Sequence, residues 1–175
     1  MTIALRFAAV CEEPSDIRTH LPRLRDLVVD TDAQVVVELG VRTGRSTTAL
    51  LAGAEETGGL VWSCDVVNHG APTDVTEHPQ WEFVLGDDLA MAEYAPRPID
   101  VLFIDTSHEY EHTVAELRAY GPLVRSGGVI ALHDTDETTW PACAQAVRHW
   151  FELLAPSKAR LEFHPGDNGL TIIRL

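Results

Sequence analysis

Long apolar runs are missing from this 175-residue chain. No stretch approaches the ~18 consecutive apolar residues that a membrane span requires, and the opening MTIALRFAAVCEE, with too short an apolar run and too weak a basic lead for a signal peptide, reads as an N-terminal arm. Cysteine is scarce. Cys11, Cys64 and Cys143 stand far apart with no CxxC pair, so they read as reduced, small hydrophobic residues of an intracellular protein and not as a disulfide framework. Positive charge is also in short supply, with 13 basic against 27 acidic side chains and a formal net charge of −14. Such a balance repels a phosphate backbone and an anionic membrane, which argues against nucleic acid and lipid as partners. Internal repeats, low-complexity tracts and long linkers are absent, and the length suits one domain over 1–175. A cytoplasmic protein is expected.

What is present is concentrated in residues 35–51, VVVELGVRTGRSTTALL. Val35, Val36 and Val37 form a β-branched run suited to a parallel strand covered on both faces. Glu38 ends the run. Gly40 and Gly44 bracket a tight turn in which backbone can approach a ligand without a Cβ in the way, and Ser46 brings a hydroxyl to the start of a helix. No Gly-Lys-Ser/Thr closes the turn, so it is not a P-loop, and Arg42 stands where the dinucleotide fingerprint has its second glycine. An acid before such a loop, with no phosphate-gripping lysine, suits a ligand carrying positive charge and hydroxyls.

The rest of the chain alternates strands with helices. Ile17, Leu21, Leu24 and Val28 share one helical face within a lead-in over 1–34, Pro22 marks a division in it, and Ser15, Asp16 and His20 could reach over a ligand. LVWSCD, ending at Asp65, is the second strand. Residues 66–80 show no helical period and carry two prolines and a glycine, so a loop is expected where a helix would normally cross: a lid, or a face covered by a second subunit in a homodimer. WEFVL precedes Gly86, Asp87 and Asp88, with Asp87 placed to cap a following helix. Ile99 to Ile104 ends in Asp105, and Thr106 or Ser107 is expected to cap the next helix with Glu109 as its capping-box partner. His112 reads as a surface residue of that helix. Gly127-Gly128 turns into a fifth strand, Val129 to Leu132, ending in His133-Asp134. Trp140-Pro141 opens a helix, and RLEFHP with GLTIIRL, joined by a GDN turn, form a terminal hairpin.

The pattern Glu38, Gly40, Gly44 and Ser46 resembles the first motif of class I S-adenosylmethionine-dependent methyltransferases. The PSDI-x-x-HLP lead-in and the I-D-x-x-H-x-Y-E segment at 104–111 are similar to those of small bacterial members acting on small-molecule hydroxyls. The resemblance covers nearly the whole chain. It implies an α/β, doubly wound Rossmann-like sheet of five parallel strands plus a C-terminal antiparallel hairpin, in the order 3-2-1-4-5-7-6. It implies cofactor contacts from Glu38, Gly40, Thr43, Gly44, Ser46, Asp65, Val66, Asp87, Asp88 and Asp105, with Asp65 on the ribose, Asp87 on the adenine amino group and Asp105 on the methionine amine or a metal. His108, over the transferred methyl, would be the catalytic base beside Asp105.

Two strands that each finish in an acid add a metal reading. In an open parallel sheet Asp105 and Asp134 should reach one crevice, and strands ~4.8 Å apart let two such carboxylates share a hard cation such as Mg²⁺. His133, Thr135 or Asp136 would complete the coordination. The catechol-type members of the family carry an amide residue after the second acid, where this chain has Thr135. Two further readings stay open: a module that binds the cofactor without transfer, and a nicotinamide-dependent oxidoreductase, which the missing middle glycine opposes.

Overall fold

Five short apolar runs pair as parallel strands, and the last two as a hairpin. In the computed structural model, which describes residues 1–175, they are β1 (Val35–Leu39), β2 (Leu60–Asp65), β3 (Trp81–Leu85), β4 (Ile99–Ile104), β5 (Val124–His133), β6 (Arg160–His164) and β7 (Leu170–Arg174). One seven-stranded sheet results, of order β3-β2-β1-β4-β5-β7-β6. Strands β1 to β5 are mutually parallel, and β7 lies antiparallel to both β5 and β6. This is the Rossmann-like order that the resemblance implied.

Alternation along each strand divides the core between two faces. Val36, Val101, Phe103, Val129 and Ala131 pack under α1 (Ile3–Glu12), α2 (Leu21–Asp30) and α3 (Arg45–Thr57). Their neighbours Val37, Leu102, Ile104, Ile130 and Leu132 pack under α6 (Tyr110–Tyr120) and α7 (Pro141–Leu154), which contribute the buried Tyr120 and Trp150. Both faces of the central strands are therefore dry, which is why these segments read as continuous apolar runs. No helix is long and apolar enough to cross a membrane.

Several local expectations are corrected. The first thirteen residues are not an arm: α1 starts under the Thr2 hydroxyl, which accepts from the Leu5 amide, and its Ile3 and Val10 join the core. Pro22 does not divide a helix but sits in the first turn of α2, where its missing N–H costs nothing. Residues 66–80 are not a structureless lid, because α4 (Thr73–Thr76) buries Val75 against the core and Asp74 pairs with Arg6 of α1. A single helical turn is too short to show a period in sequence. The fifth strand begins at Val124, so Gly127-Gly128 forms an irregularity within it, between the pairs Ile99–Val124 and Val101–Val129. Finally, α6 begins only at Tyr110, with no side-chain cap. Thr106 instead donates its hydroxyl to Glu116.

Helices α2 and α3 approach each other at Gly53. A Cβ there would stand 2.6 Å from Val28 Cβ and 2.8 Å from the Arg25 carbonyl oxygen, and neither is the free end of a flexible side chain. Overpacking typically costs about 1–3 kcal/mol, against at most ~1 kcal/mol gained from alanine's helix propensity. Gly53→Ala is therefore expected to lower unfolding free energy by about 1 kcal/mol in urea denaturation. A stabilised variant would show that the two helices can separate freely.

Candidate functional site

Because β1, β2, β4 and β5 run parallel, their carboxyl ends open on one edge, and a cavity of about 1080 Å³ lies there. Its floor is the loop from Gly40 to Ser46. Its walls carry Asp65 and Val66, Gly86 to Asp88, Asp105 to His108, and Asp134. Thr43 and Ser46 line it as expected, as do Asp87 and Asp88, whereas Gly44 takes the left-handed turn into α3 and is not on the lining. Sequence reasoning had thus brought nearly all of its cofactor residues to one place.

Glu38 is the other exception. It is wholly buried and absent from the lining: Ser46 Oγ donates to its Oε1 at 2.6 Å, while Thr47 Oγ1 and Ser63 Oγ donate to its Oε2 at 2.8 and 2.6 Å. Trp81 Nε1 donates in turn to Ser63 Oγ at 2.8 Å. Glu38 therefore clamps β1, β2, β3 and the start of α3 from beneath the cavity. Burial pushes its carboxyl up to about 7, against the pull of those three hydroxyls and with Asp105's charge adding to the rise. Gly40 is also placed differently from expectation. Its φ is +86°, and a Cβ would fall 1.9 Å from the carbonyl oxygen of Asp105, so a side chain here would strike the end of β4 before any ligand. Gly40→Val would disturb the fold itself.

Asp65 holds the loop's backbone. Its Oδ2 accepts from the amides of Val41 and Arg42 at 2.8 and 2.9 Å, and its Oδ1 from Val67 at 2.9 Å. Burial raises its pKa, but these amides outweigh burial and hold the carboxyl below the usual carboxylate range. Oδ1, with a single donor, keeps a site for one more hydrogen bond. Asp87 caps α5 (Asp88–Met91) through the Ala90 amide at 2.9 Å, as its position predicted, and still lines the wall.

At the other end His108 stands between two acids. Its Nε2 lies 2.6 Å from Asp134 Oδ2 and 3.2 Å from Asp105 Oδ1, and both His108 and Asp134 adopt left-handed backbone, φ 58° and 55°. Non-glycine residues held there are strained, and such strain gathers at functional sites. Burial alone would lower the His108 pKa, but the hydrogen bonds and charges of Asp105 and Asp134 win and raise it to about 9. The imidazolium is thus the form present at neutral pH. Its contribution to stability is complete below the ordinary histidine range and fades as pH rises through about 9.

Asp105, His108 and Asp134 have donor atoms within 4.8 Å of one another. His133 lies outside that set. Its Nε2 donates to the Asp167 carbonyl at 2.8 Å, and its Nδ1 sits behind the acids, 3.5 Å from Asp134 Oδ1 and 3.6 Å from Asp105 Oδ1. Burial lowers its pKa and the two acids more than restore it, to about 10, so it faces them as a buried cation. Thr135 and Asp136 do not complete the set either. Thr135 is buried against Thr171, and Asp136 accepts from Thr138 and Thr139.

Three lining contributions were not singled out from sequence. His112 is not a surface residue: its Nε2 reaches Asp88 Oδ2 at 3.0 Å and it lines the cavity. Trp140 faces His108 with ring centroids 4.6 Å apart. Asn168 projects from the β6–β7 turn. Pro14 to Ile17 cross the mouth and bring Ser15 and Asp16, but not His20, to the lining the sequence allowed for all three. That crossing is fastened by Glu13–Arg45 and Asp16–Arg42 ion pairs on one side, and by Thr19 and His20 bonding to Asp167 and Gly166 on the other. Only the run of left-handed residues at Gly166–Gly169 hinted at an unusual turn, and conformation is not visible in sequence.

The clamp is testable. Glu38→Ala strands three buried hydroxyls, each costing about 1–3 kcal/mol, so a loss of at least ~3 kcal/mol is expected in urea unfolding. Glu38→Gln keeps the shape and an acceptor and is expected to lose less than half as much. Equal losses would show that shape complementarity, not hydrogen bonding, sets the value.

Comparison with known proteins agrees with this geometry. A family model described as a methyltransferase domain matches residues 37–135. Among solved structures, cofactor-bound Rv0187 from MTB superposes with a TM-score of 0.74 at 22% identity, covering 98% of this chain and 87% of that one. An O-methyltransferase from Bacillus cereus in complex with SAH gives 0.71 at 20% identity, over 99% and 89%. The O-methyltransferase TomG from Streptomyces achromogenes, in complex with SAM, gives 0.70 at 19%, over 93% and 81%. These identities speak to fold, whereas the family match spans more than half of the chain and runs from β1 through Asp134. The chain belongs to the methyltransferase domain family.

Proposed function

We propose that this protein transfers the methyl group of S-adenosylmethionine to a hydroxyl group of a small molecule. The observation that carries this reading is the cavity itself, in which acids at four successive strand ends surround a glycine loop and a strained histidine stands at one end. Solved structures of the same fold with SAM or SAH bound support the cofactor. The loop from Gly40 to Gly44 would accept the cofactor's body, Asp65 its ribose hydroxyls, and Asp87 its adenine amino group. Asp105 would take the methionine amine.

Transfer is an in-line displacement. A bond forms between the acceptor oxygen and the methyl carbon, the sulfonium C–S bond breaks, and the acceptor's proton must leave. His108 is positioned to receive that proton at Nε2 once it is neutral. Asp105 and Asp134 fit a divalent ion: their donor atoms converge with that of His108, and Asp134 Oδ1 is buried without a hydrogen-bond partner. Such an ion, when bound, lowers the pKa of the acceptor hydroxyl. With their carboxylates engaged, Asp105 and Asp134 would no longer hold the His108 proton, and the imidazole would be free to act as base. Trp140 keeps its ring in place.

Calorimetry should show binding of S-adenosylhomocysteine and none of NAD, and Asp65→Ala should weaken the former at least about tenfold. Heat with NAD alone would overturn the cofactor assignment. For the base, His108→Ala should lower kcat by at least about a hundredfold while leaving the cofactor KM within about twofold. The pH profile gives an independent check. Because the base works deprotonated and its proton is held up to about pH 9, kcat after chelation should climb through neutral pH toward that value. Added Mg²⁺ or Mn²⁺ should move the rise to lower pH. A flat profile, with or without metal, would remove His108 from the proton transfer.

A further inference from the structure

The charge of the cavity bears on what the acceptor can be, and this step rests on the methyl-transfer reading. An anionic group brought into a partly dry site loses its hydration and needs a cation or several converging N–H donors in return. The lining holds six carboxylates, from Asp16, Asp65, Asp87, Asp88, Asp105 and Asp134, and only two side chains that are cationic at all pH values, Arg42 and Arg45. Both are engaged. Arg42 Nη1 lies 3.0 Å from Asp16 Oδ2, and Arg45 Nη2 lies 2.9 Å from Glu13 Oε2. The chain's single lysine, Lys158, is not on the lining. His108 and His112, also on the lining, each face carboxylates, the first Asp105 and Asp134 and the second Asp88.

We infer that the acceptor carries no anionic group: it is a small neutral or amine-bearing hydroxyl compound, not a phosphate ester, a carboxylic acid or a coenzyme A thioester. Two effects act in the same direction. The carboxylates repel an incoming anion over a Debye length, about 8 Å at physiological salt, and attract an ammonium group over the same range. At close range the anion has no unpaired guanidinium or ammonium to meet.

A matched series isolates the charge. Dopamine, 4-ethylcatechol and 3-(3,4-dihydroxyphenyl)propionate share a ring and a two-carbon tail ending in an amine, a hydrogen and a carboxylate. Their tails stay clear of any ion at Asp105 and Asp134, which would take the ring hydroxyls. Methylation by the full-length protein should give the propionate a kcat/KM at least about tenfold below that of 4-ethylcatechol, with dopamine equal to or above it. The gap should narrow as salt is raised from low to high. If none is turned over, the same order is read from their affinities for the protein loaded with S-adenosylhomocysteine. A propionate that matches or exceeds the neutral compound, in turnover or in affinity, overturns the inference while leaving methyl transfer standing. Failure to bind S-adenosylhomocysteine overturns both.

Discussion

A carboxylate without access to water sits where three strands and a helix meet, and the site above it depends on that contact. Glu38 accepts hydroxyls from Ser46 and Thr47 of α3 and from Ser63 of β2, and through Ser63 it reaches Trp81 on β3. A buried carboxylate is costly unless hydrogen-bonded on both oxygens, so the arrangement admits little slack. The start of α3 is thereby fixed against the strand ends, and with it the glycine loop between them. Asp65 completes the fastening from above by gripping the backbone amides of Val41 and Arg42. The loop offered to a ligand is held from both sides, by Glu38 beneath it and by Asp65 above.

The opposite end of the cavity is organised by charge balance. Asp105 and Asp134 emerge from adjacent parallel strands, and two carboxylates so close would ordinarily force one to take up a proton. Here both are held below the usual carboxylate range, because His108 meets them from the cavity and His133 from the protein side. The two histidines are not equivalent. His133 is sealed in and bound to the Asp167 carbonyl, a fixed counter-charge, whereas His108 is partly exposed and can exchange its partners. One imidazole steadies the acids and the other is available for chemistry.

The mouth is assembled from parts distant in the chain. Residues Glu13 to His20 bridge the glycine loop and the β6–β7 turn, joined to the first by ion pairs and to the second by hydrogen bonds. Exposed ion pairs are individually weak, so this crossing is held chiefly by Ile17 in the core and by the turn. The same ion pairs take up Arg42 and Arg45, which leaves the cavity with carboxylates in excess.

The sequence by itself determined the strands, their order of appearance and the acids at their ends. Apolar runs of strand length, each closed by Asp65, Asp105 or His133-Asp134, carry that information locally, and parallel pairing then brings every carboxyl end to one edge. The early breaks from expectation have local causes too: a single turn such as α4 is shorter than the period that would reveal it. Tertiary structure alone decided which way the side chains at those ends turn and what meets them. Successive residues of a strand point to opposite faces, so His133 goes behind the acids although it adjoins Asp134 in the chain, and Glu38, still within β1, goes beneath the loop. Trp140, Asn168, His112 and Pro14–Ile17 join the site through contacts set by helix packing and by a left-handed turn, and neither leaves a periodic trace in the sequence.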